Sequence, residues 1–296
     1  MIDLHTHTDR SDGSISPEDL IRKAVDCGLE ALAITDHDTL AGYDAAASLA
    51  SRRGLDLICA VELSTRPSSS RKAGKRERSV HVLGYFLDGA PTLDFRNWLE
   101  TQQESRRRRN VDLVAKLQNL GVEISLEEAQ VYGRNQLGRP HFAQLLRDKN
   151  YVSNIQEAFD KYLADDAQAA VERDEPLLED GIQRICSAGG LAALAHPVRL
   201  PQKGGELVRL LERLIDSSGL HGIEVIHSEH ERAECEEFLD IAERLDLIPT
   251  GGSDFHGDNK PGVSLGAGIN GNVRLSCQFL ARMRDMWGQR ASAARR

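Results

Sequence analysis

Nine imidazole and carboxylate side chains occur in this sequence at spacings suited to holding cations. His5 and His7 form an H-x-H pair at the start of the chain, and Asp12 follows in Ser11-Asp12-Gly13. His37 lies in Thr35-Asp36-His37-Asp38, Glu62 follows Val61, and His81 stands further on. His196 lies in Ala195-His196-Pro197, and Asp254 and His256 in Ser253-Asp254-Phe255-His256. In extended chain, residues two apart point to one side, so His5 and His7 can face a single ion. A lone histidine is more often a satisfied structural residue, and H-x-H alone is common. Position changes the odds: six of the ten histidines fall at or just beyond the ends of predicted strands, the side where α/β folds place active sites. Mixed imidazole and carboxylate donors suit zinc, manganese or iron and not a calcium site built of oxygen alone. Cysteine is absent from the set, which argues against a closed structural zinc site. Nine donors exceed the needs of one ion, so two or three divalent ions are implied. Ions so held neutralise charge, activate water and orient an ester, which is the chemistry of phosphate hydrolysis.

The elements that must position these residues are short. Apolar or β-branched runs at 2–4, 31–35, 57–61, 80–86, 191–195, 222–226 and 248–250 read as seven strands alternating with amphipathic segments. This pattern predicts a mostly parallel α/β arrangement, either a barrel or an open sheet. The first helix is signalled by Ser16 as N-cap, Pro17 at its first position, Glu18 and Asp19 in the first turn and a stop at Gly28. From 96 to about 175 the strand signal vanishes. Helical patterns at 97–120, 126–132, 140–148 and 155–163 read as an α-helical insertion domain (96–175) between two parts of a main domain (1–95 and 176–296). The stretch 66–79, rich in serine and basic residues, reads as a flexible surface loop, and the tail from Gln289 as frayed. Arg106 to Arg109 form a basic run in a helical pattern; the plainer reading is a solvated face paired with Glu100 and Glu104, the sharper one a contact to a polyanion.

The 296 residues, 40% of them hydrophobic, suffice for one large domain or two modest ones. No run approaches the roughly 18 apolar residues that span a membrane. The opening residues show neither a basic nor an apolar signal region, so the cytoplasm is the expected compartment. Five dispersed cysteines without C-x-x-C spacing read as buried, reduced thiols. A net charge of −9 argues against non-specific nucleic-acid coating but not against a phosphate-bearing substrate, since bound ions are missing from that count. No obligate protein partner is evident.

The motifs Asp3-Leu4-His5-Thr6-His7-Thr8, Ser11-Asp12-Gly13, Thr35-Asp36-His37, Val61-Glu62, His81, Ala195-His196-Pro197 and Ser253-Asp254-Phe255-His256 resemble, in order, those of the PHP (polymerase and histidinol phosphatase) family. The resemblance implies a distorted seven-stranded (β/α)7 barrel with a trinuclear centre. By that resemblance His5, His7, Glu62 and Asp254 take a first ion, and Glu62 bridges to a second held by His81 and His196. Asp12, His37 and His256 take a third; some members carry a histidine where Asp12 stands. Within the family, the helical insertion with Gly138-Arg139-Pro140-His141-Phe142-Ala143, together with Arg199 and His230, resembles the group that removes the 3′-phosphate of nucleoside 3′,5′-bisphosphates and degrades short RNA from the 5′ end. The 66–79 loop and Val171-Glu172-Arg173-Asp174 depart from that group.

The expected mechanism is attack on phosphorus by a hydroxide between the first two ions, with His5, His7, Glu62, His196 and Asp254 at the centre of the reaction. Arg139 and Arg199 are expected to clamp phosphate oxygens, the alternative for Arg139 being a role at the start of its helix. His141 and His230 are candidates for substrate contact or for protonating the leaving oxygen, against a packing role. His221 and His227 read as structural, and Asp3, Asp36 and Asp38 as partners that orient ligand imidazoles. Competing readings are a phosphatase of the same scaffold acting on histidinol phosphate or phosphotyrosine, and a non-catalytic, metal-stabilised module that binds nucleic acid.

Overall fold

The computed structural model describes residues 1–67, 79–133 and 135–294. Most of the loop expected at 66–79 therefore lies outside the described residues. Seven strands form one sheet in chain order: β1 Ile2–Thr6, β2 Ala31–Ile34, β3 Asp56–Thr65, β4 Val80–Phe86, β5 Leu191–Leu194, β6 Gly222–His227 and β7 Ile248–Gly252. β4 is antiparallel to both its neighbours, and the other neighbouring pairs are parallel. Just beyond β7 the chain returns to β1: the Asp254 N–H donates to the His5 carbonyl at 2.8 Å and the His7 N–H to the Phe255 carbonyl at 2.9 Å. The sheet is thus a nearly closed barrel. Glycine is required at 252, where a Cβ would lie 2.3 Å from the His5 nitrogen.

Strand alternation sorts the side chains into layers. Ile2, Leu4, Ile58, Ala60, Leu83, Tyr85, Leu191 and Ala193 form one apolar cluster, joined by Leu280 and Met283 of the C-terminal helix. Their sequence neighbours Leu32, Ile34, Val61, Leu63, Val82 and Leu194 belong to two other clusters, packed with the surrounding helices. These helices include α1 Pro17–Asp26 and α2 Ala41–Arg53. As its sequence signals require, α1 has the Ser16 hydroxyl accepting from the Asp19 N–H at 3.1 Å.

The face of β3 that carries Ile58 and Ala60 next presents Glu62, which pairs with Leu83 across the ladder. On β4 the same face runs back from Tyr85 and Leu83 to His81. Hydrocarbon at one end of the strands therefore gives way to candidate ligands at the other. Because β4 is antiparallel, its first residues lie where the parallel strands end, so His81 starts its strand while His196 and Asp254 follow theirs. β3 also runs on to Thr65, four residues past its expected end at 61.

The stretch between β4 and β5 is helical, as expected: α3 Leu93–Asn119, α4 Leu126–Gln130, α5 Arg139–Asp148, α6 Ile155–Ala158 and a π-helical turn Phe159–Leu163, then α7 Leu178–Ser187. The boundary expected at 96 falls inside a continuous helix, because the Thr92 hydroxyl caps α3 before Leu93. Phe95 and Leu99 pack in a barrel cluster, whereas Leu113, Val114 and Leu117 join a separate core with Phe142, Leu146 and Tyr162. One helix thus links two cores. The later helices are α8 Gly205–Ser218, α9 Arg232–Arg244 and α10 Cys277–Ala294, so the tail expected to fray at 289 stays helical to Ala294.

Candidate metal centre

Glu62, 1% exposed, is the hub of the site. Its Oε1 lies 2.7 Å from His81 Nδ1 and 2.8 Å from His196 Nε2. Its Oε2 faces three other imidazoles, 3.3 Å from His5 Nε2, 3.0 Å from His7 Nε2 and 3.2 Å from His37 Nδ1. Asp254 Oδ1 approaches the same two nitrogens, at 3.5 Å from His5 and 3.4 Å from His7. On the other side of His37, Asp12 Oδ2 lies 3.6 Å from Nε2, while Asp12 Oδ1 is 3.2 Å from His256 Nε2. His37 therefore stands between two groups of donors.

The nine residues singled out in the sequence thus come together. Donor atoms of His5, His7, Glu62 and Asp254 lie within 4.8 Å of one another, as do those of His7, Asp12, His37 and His256, and those of His37, Glu62 and His81. His5 Nε2, His7 Nε2 and His37 Nδ1 are buried without a hydrogen-bond partner, a costly state that a cation would relieve. Burial pushes the Glu62 carboxyl up, but His37, His81 and His5 more than offset it and hold the group well below its ordinary range. Asp12 is held low against burial by His256 and His37, and Asp254 by Lys260 and His256. Burial takes His37 down to about 3, whereas burial at His5 and His7 is outweighed by the surrounding carboxylates, which push both imidazoles up, His7 to about 9. Carboxylates and imidazoles packed this closely fit divalent cations, which would take the place of the protons the carboxylates draw in.

Backbone and carboxylate partners aim these donors. Glu224, fully buried on β6, receives the His5 Nδ1–H at 2.8 Å on one oxygen and the His196 N–H at 2.6 Å on the other. The Asp254 carbonyl accepts from His256 Nδ1 at 2.8 Å, which leaves Nε2 for Asp12 or an ion. Asp3 and Asp36 serve mainly to hold loops: Asp3 accepts from the Ser253 N–H at 2.9 Å and the Gly266 N–H at 2.8 Å, and Asp36 from the Thr8 N–H at 2.8 Å and the Ser11 hydroxyl at 2.6 Å. Asp38 binds two arginines and the Ser64 N–H instead of an imidazole. Asp38, His196 and Asp254 have φ of 56°, 25° and 54°, so the loops that carry candidate ligands include left-handed, non-glycine backbone. Glu224 gave no signal in the sequence beyond a carboxylate inside an apolar strand. That is the signal by which it could have been found, since such a group is rarely buried without a partner.

A cavity of about 790 Å³ opens over the site, lined by Asp12, His37, Glu62, His81, Asp254 and His256. Arg106, Arg109, Arg139, Phe159 and Arg173 of the 93–175 stretch line it too, with Arg199 and Lys260. Arg139 reaches the cavity as expected, bonded to Asp165 at 2.6 Å, and Arg199 spans from Glu229 to Asp254 Oδ2 at 3.0 Å. His141 and His230, expected to meet substrate, do not line it. His141 Nδ1 accepts from the Gly138 N–H at 3.0 Å and closes the first turn of α5, its ring packed where a Cβ on residue 133 would lie 2.3 Å away. His230 donates through Nδ1 to the Val225 carbonyl at 3.1 Å and sits between His227 and Phe238, behind the ligand set. His227 Nε2 lies 3.2 Å from Asp254 Oδ2, and His221 packs on Trp287.

The Arg106–Arg109 run divides. Arg107 and Arg108 are exposed, as the plainer reading had it, but Arg106 and Arg109 are 9% and 7% exposed and face the cavity. Spacing was the missed signal, because residues three apart share a helix face, and this face continues to Leu113 and Leu117.

The family model for the PHP domain matches residues 3–173. A 3′,5′-nucleoside bisphosphate phosphatase from Chromobacterium violaceum is 33% identical over 268 residues, covering 90% of this chain and 90% of its own length. A 5′-3′ exoribonuclease from Haemophilus influenzae is 32% identical over 255 residues, covering 86% and 89%. A phosphoribosyl 1,2-cyclic phosphate 1,2-diphosphodiesterase from Eggerthella lenta is 33% identical over 260 residues, covering 86% and 94%. Among solved structures, an amidohydrolase from Chromobacterium violaceum with bound sulfate and no metal superposes with a TM-score of 0.79 at 29% identity, covering 95% of this chain and 96% of that one. The chain belongs to the PHP domain family, and it is a metal-dependent phosphoesterase.

Proposed function

We propose that this enzyme removes the 3′-phosphate of nucleoside 3′,5′-bisphosphates and takes short RNA from the 5′ end as a related substrate. The observation that carries the reading is the shared cavity, in which buried metal donors and a row of arginines line one volume. A substrate with one phosphate for the donors and a second for the arginines matches both. The bisphosphate phosphatase and exoribonuclease similar to this chain support it.

His5, His7, Glu62 and Asp254 would hold one ion, Glu62 with His81 and His196 a second, and Asp12, His37 and His256 a third. Bound there, divalent ions supply Lewis acidity and activated water. The protein's own contribution is orientation and charge. Glu62 divides its two oxygens between imidazole groups, and Glu224 fixes the His5 ring and the His196 backbone at once. Arg139 and Arg199, which line the cavity, would clamp phosphate oxygens with paired N–H donors. Phe159, half-buried on the π-helical turn, offers an aromatic face to a base.

The test is phosphate release from a nucleoside 3′,5′-bisphosphate, histidinol phosphate, a phosphotyrosine peptide and a short 5′-phosphorylated RNA, with metal content measured on the same sample. The bisphosphate is expected to give the highest kcat/KM. A clear preference for histidinol phosphate or phosphotyrosine, or salt-dependent RNA binding without turnover, would replace this reading.

A further inference from the structure

Each of the other three arginines lining the cavity from the 93–175 stretch is paired with a carboxylate. Arg106 binds Asp38 Oδ2 at 2.6 Å, Arg173 binds the same oxygen at 2.8 Å, and Arg139 binds Asp165 at 2.6 Å. Arg109 differs. It is 7% exposed and lines the cavity, and its Nε, like those of Arg106 and Arg173, is buried with no hydrogen-bond partner. No carboxylate among the described residues lies within ion-pairing distance of it. Burial, then the charges of Arg106, Arg139 and Arg173, act against its protonated form, and Glu175 offsets them only in part. A guanidinium does not give up its proton in a protein, so the group stays a buried cation with no ion-pair partner among the described residues. Such a charge costs several kcal/mol unless something pairs with it. An arginine kept for packing alone would be better replaced by a methionine at this position, which shares a face with Leu113 and Leu117.

We infer that Arg109 binds the second, non-scissile phosphate of the substrate, in a subsite built so that the protein leaves this one guanidinium for the ligand. The inference rests on the function proposed above and names the residue that distinguishes a bisphosphate from a monophosphate. The paired arginines beside it are already neutralised and shape the subsite, whereas Arg109 supplies the uncancelled charge. A planar fork of N–H donors then meets a phosphate dianion with two parallel hydrogen bonds.

The experiment compares wild type, Arg109→Met and Arg109→Lys as metal-loaded full-length proteins. In the methionine variant kcat/KM for a nucleoside 3′,5′-bisphosphate should fall about 10- to 100-fold, the size of a lost hydrogen bond to a charged group, while kcat/KM for the nucleoside 3′-monophosphate stays unchanged. The lysine variant should recover part of the loss. An equal loss on both substrates, or no loss on either, would overturn the inference. A second readout needs no turnover. Sodium sulfate, compared with sodium chloride at matched ionic strength, should raise the unfolding midpoint of wild type and leave that of Arg109→Met unmoved. Without added anion, the methionine variant should melt at or above wild type, since it loses an unpaired buried charge. A sulfate response that survives in Arg109→Met, or a lower midpoint there, would make Arg109 structural. If bisphosphate is not a substrate at all but the sulfate response still depends on Arg109, the anion subsite stands and the proposed substrate falls.

Discussion

The two sides of the cavity carry opposite chemistry. The barrel side presents imidazoles and ionised carboxylates converging on Glu62, a donor set suited to cations. The helical side presents arginines, three paired and one without an ion-pair partner among the described residues, a set suited to an anion. Buried charge of either kind is costly unless something pairs with it. Asp38 joins them: it follows the candidate ligand His37 in the chain and receives both Arg106 from α3 and Arg173. Burial pushes this carboxyl up, and Arg173 and Arg106 more than offset that, so it is ionised.

The sharpest way to break this contrast is to remove the barrel side's hub. Glu62→Gln should lose bound metal, by elemental analysis, and about 1000-fold or more of phosphate release, because the shared anion of two donor groups is gone. His196→Ala should behave alike, and full activity in either would refute the proposed ion positions. Next in size is the joint. Asp38→Ala strands two buried guanidinium groups and should cost about 3–5 kcal/mol in denaturant unfolding; a loss below 1 kcal/mol would show that the two sides are held together elsewhere. Glu224→Gln tests how the donors are aimed and should lower metal affinity or activity about 10- to 100-fold with little change in fold.

On the helical side, Arg139→Ala should reduce kcat/KM by about 10-fold or more with metal content unchanged. The loss should fall on mono- and bisphosphates together, in contrast to Arg109→Met. Unchanged kinetics would remove Arg139 from the proposed clamp. The smallest effect belongs to the exposed half of the arginine run. Arg107→Ala and Arg108→Ala should stay within about 0.5 kcal/mol of wild type and keep full activity, and a large loss in either would return the whole run to the substrate path.

The barrel side was legible because each of its candidate ligands sits in a short motif beside a strand. Apolar runs announce the strand, and a histidine or carboxylate at its edge has few other uses. The helical side was hidden by its residue type. Arginine on a helix is ordinary surface chemistry, and only the three-residue spacing of Arg106 and Arg109, in line with Leu113, separates these two from Arg107 and Arg108. His141 and His230, candidates for substrate contact against a packing role, each bond locally through Nδ1, to the Gly138 N–H and the Val225 carbonyl, while Nε2 stays buried without a hydrogen-bond partner among the described residues.

Local pattern by itself therefore determined the strands, the first helix and its cap, the helical stretch and which nine residues are candidate donors, because hydrophobic periodicity and strand-edge motifs are properties of neighbours along the chain. Tertiary structure alone decided that β4 runs backwards and brings His81 to the ligand end, and that Glu224 serves both His5 and His196. It also decided that Arg109 is left without an ion-pair partner among the described residues. Each of these depends on which distant groups meet at a buried point, where the low dielectric makes pairing, or its absence, decide the chemistry.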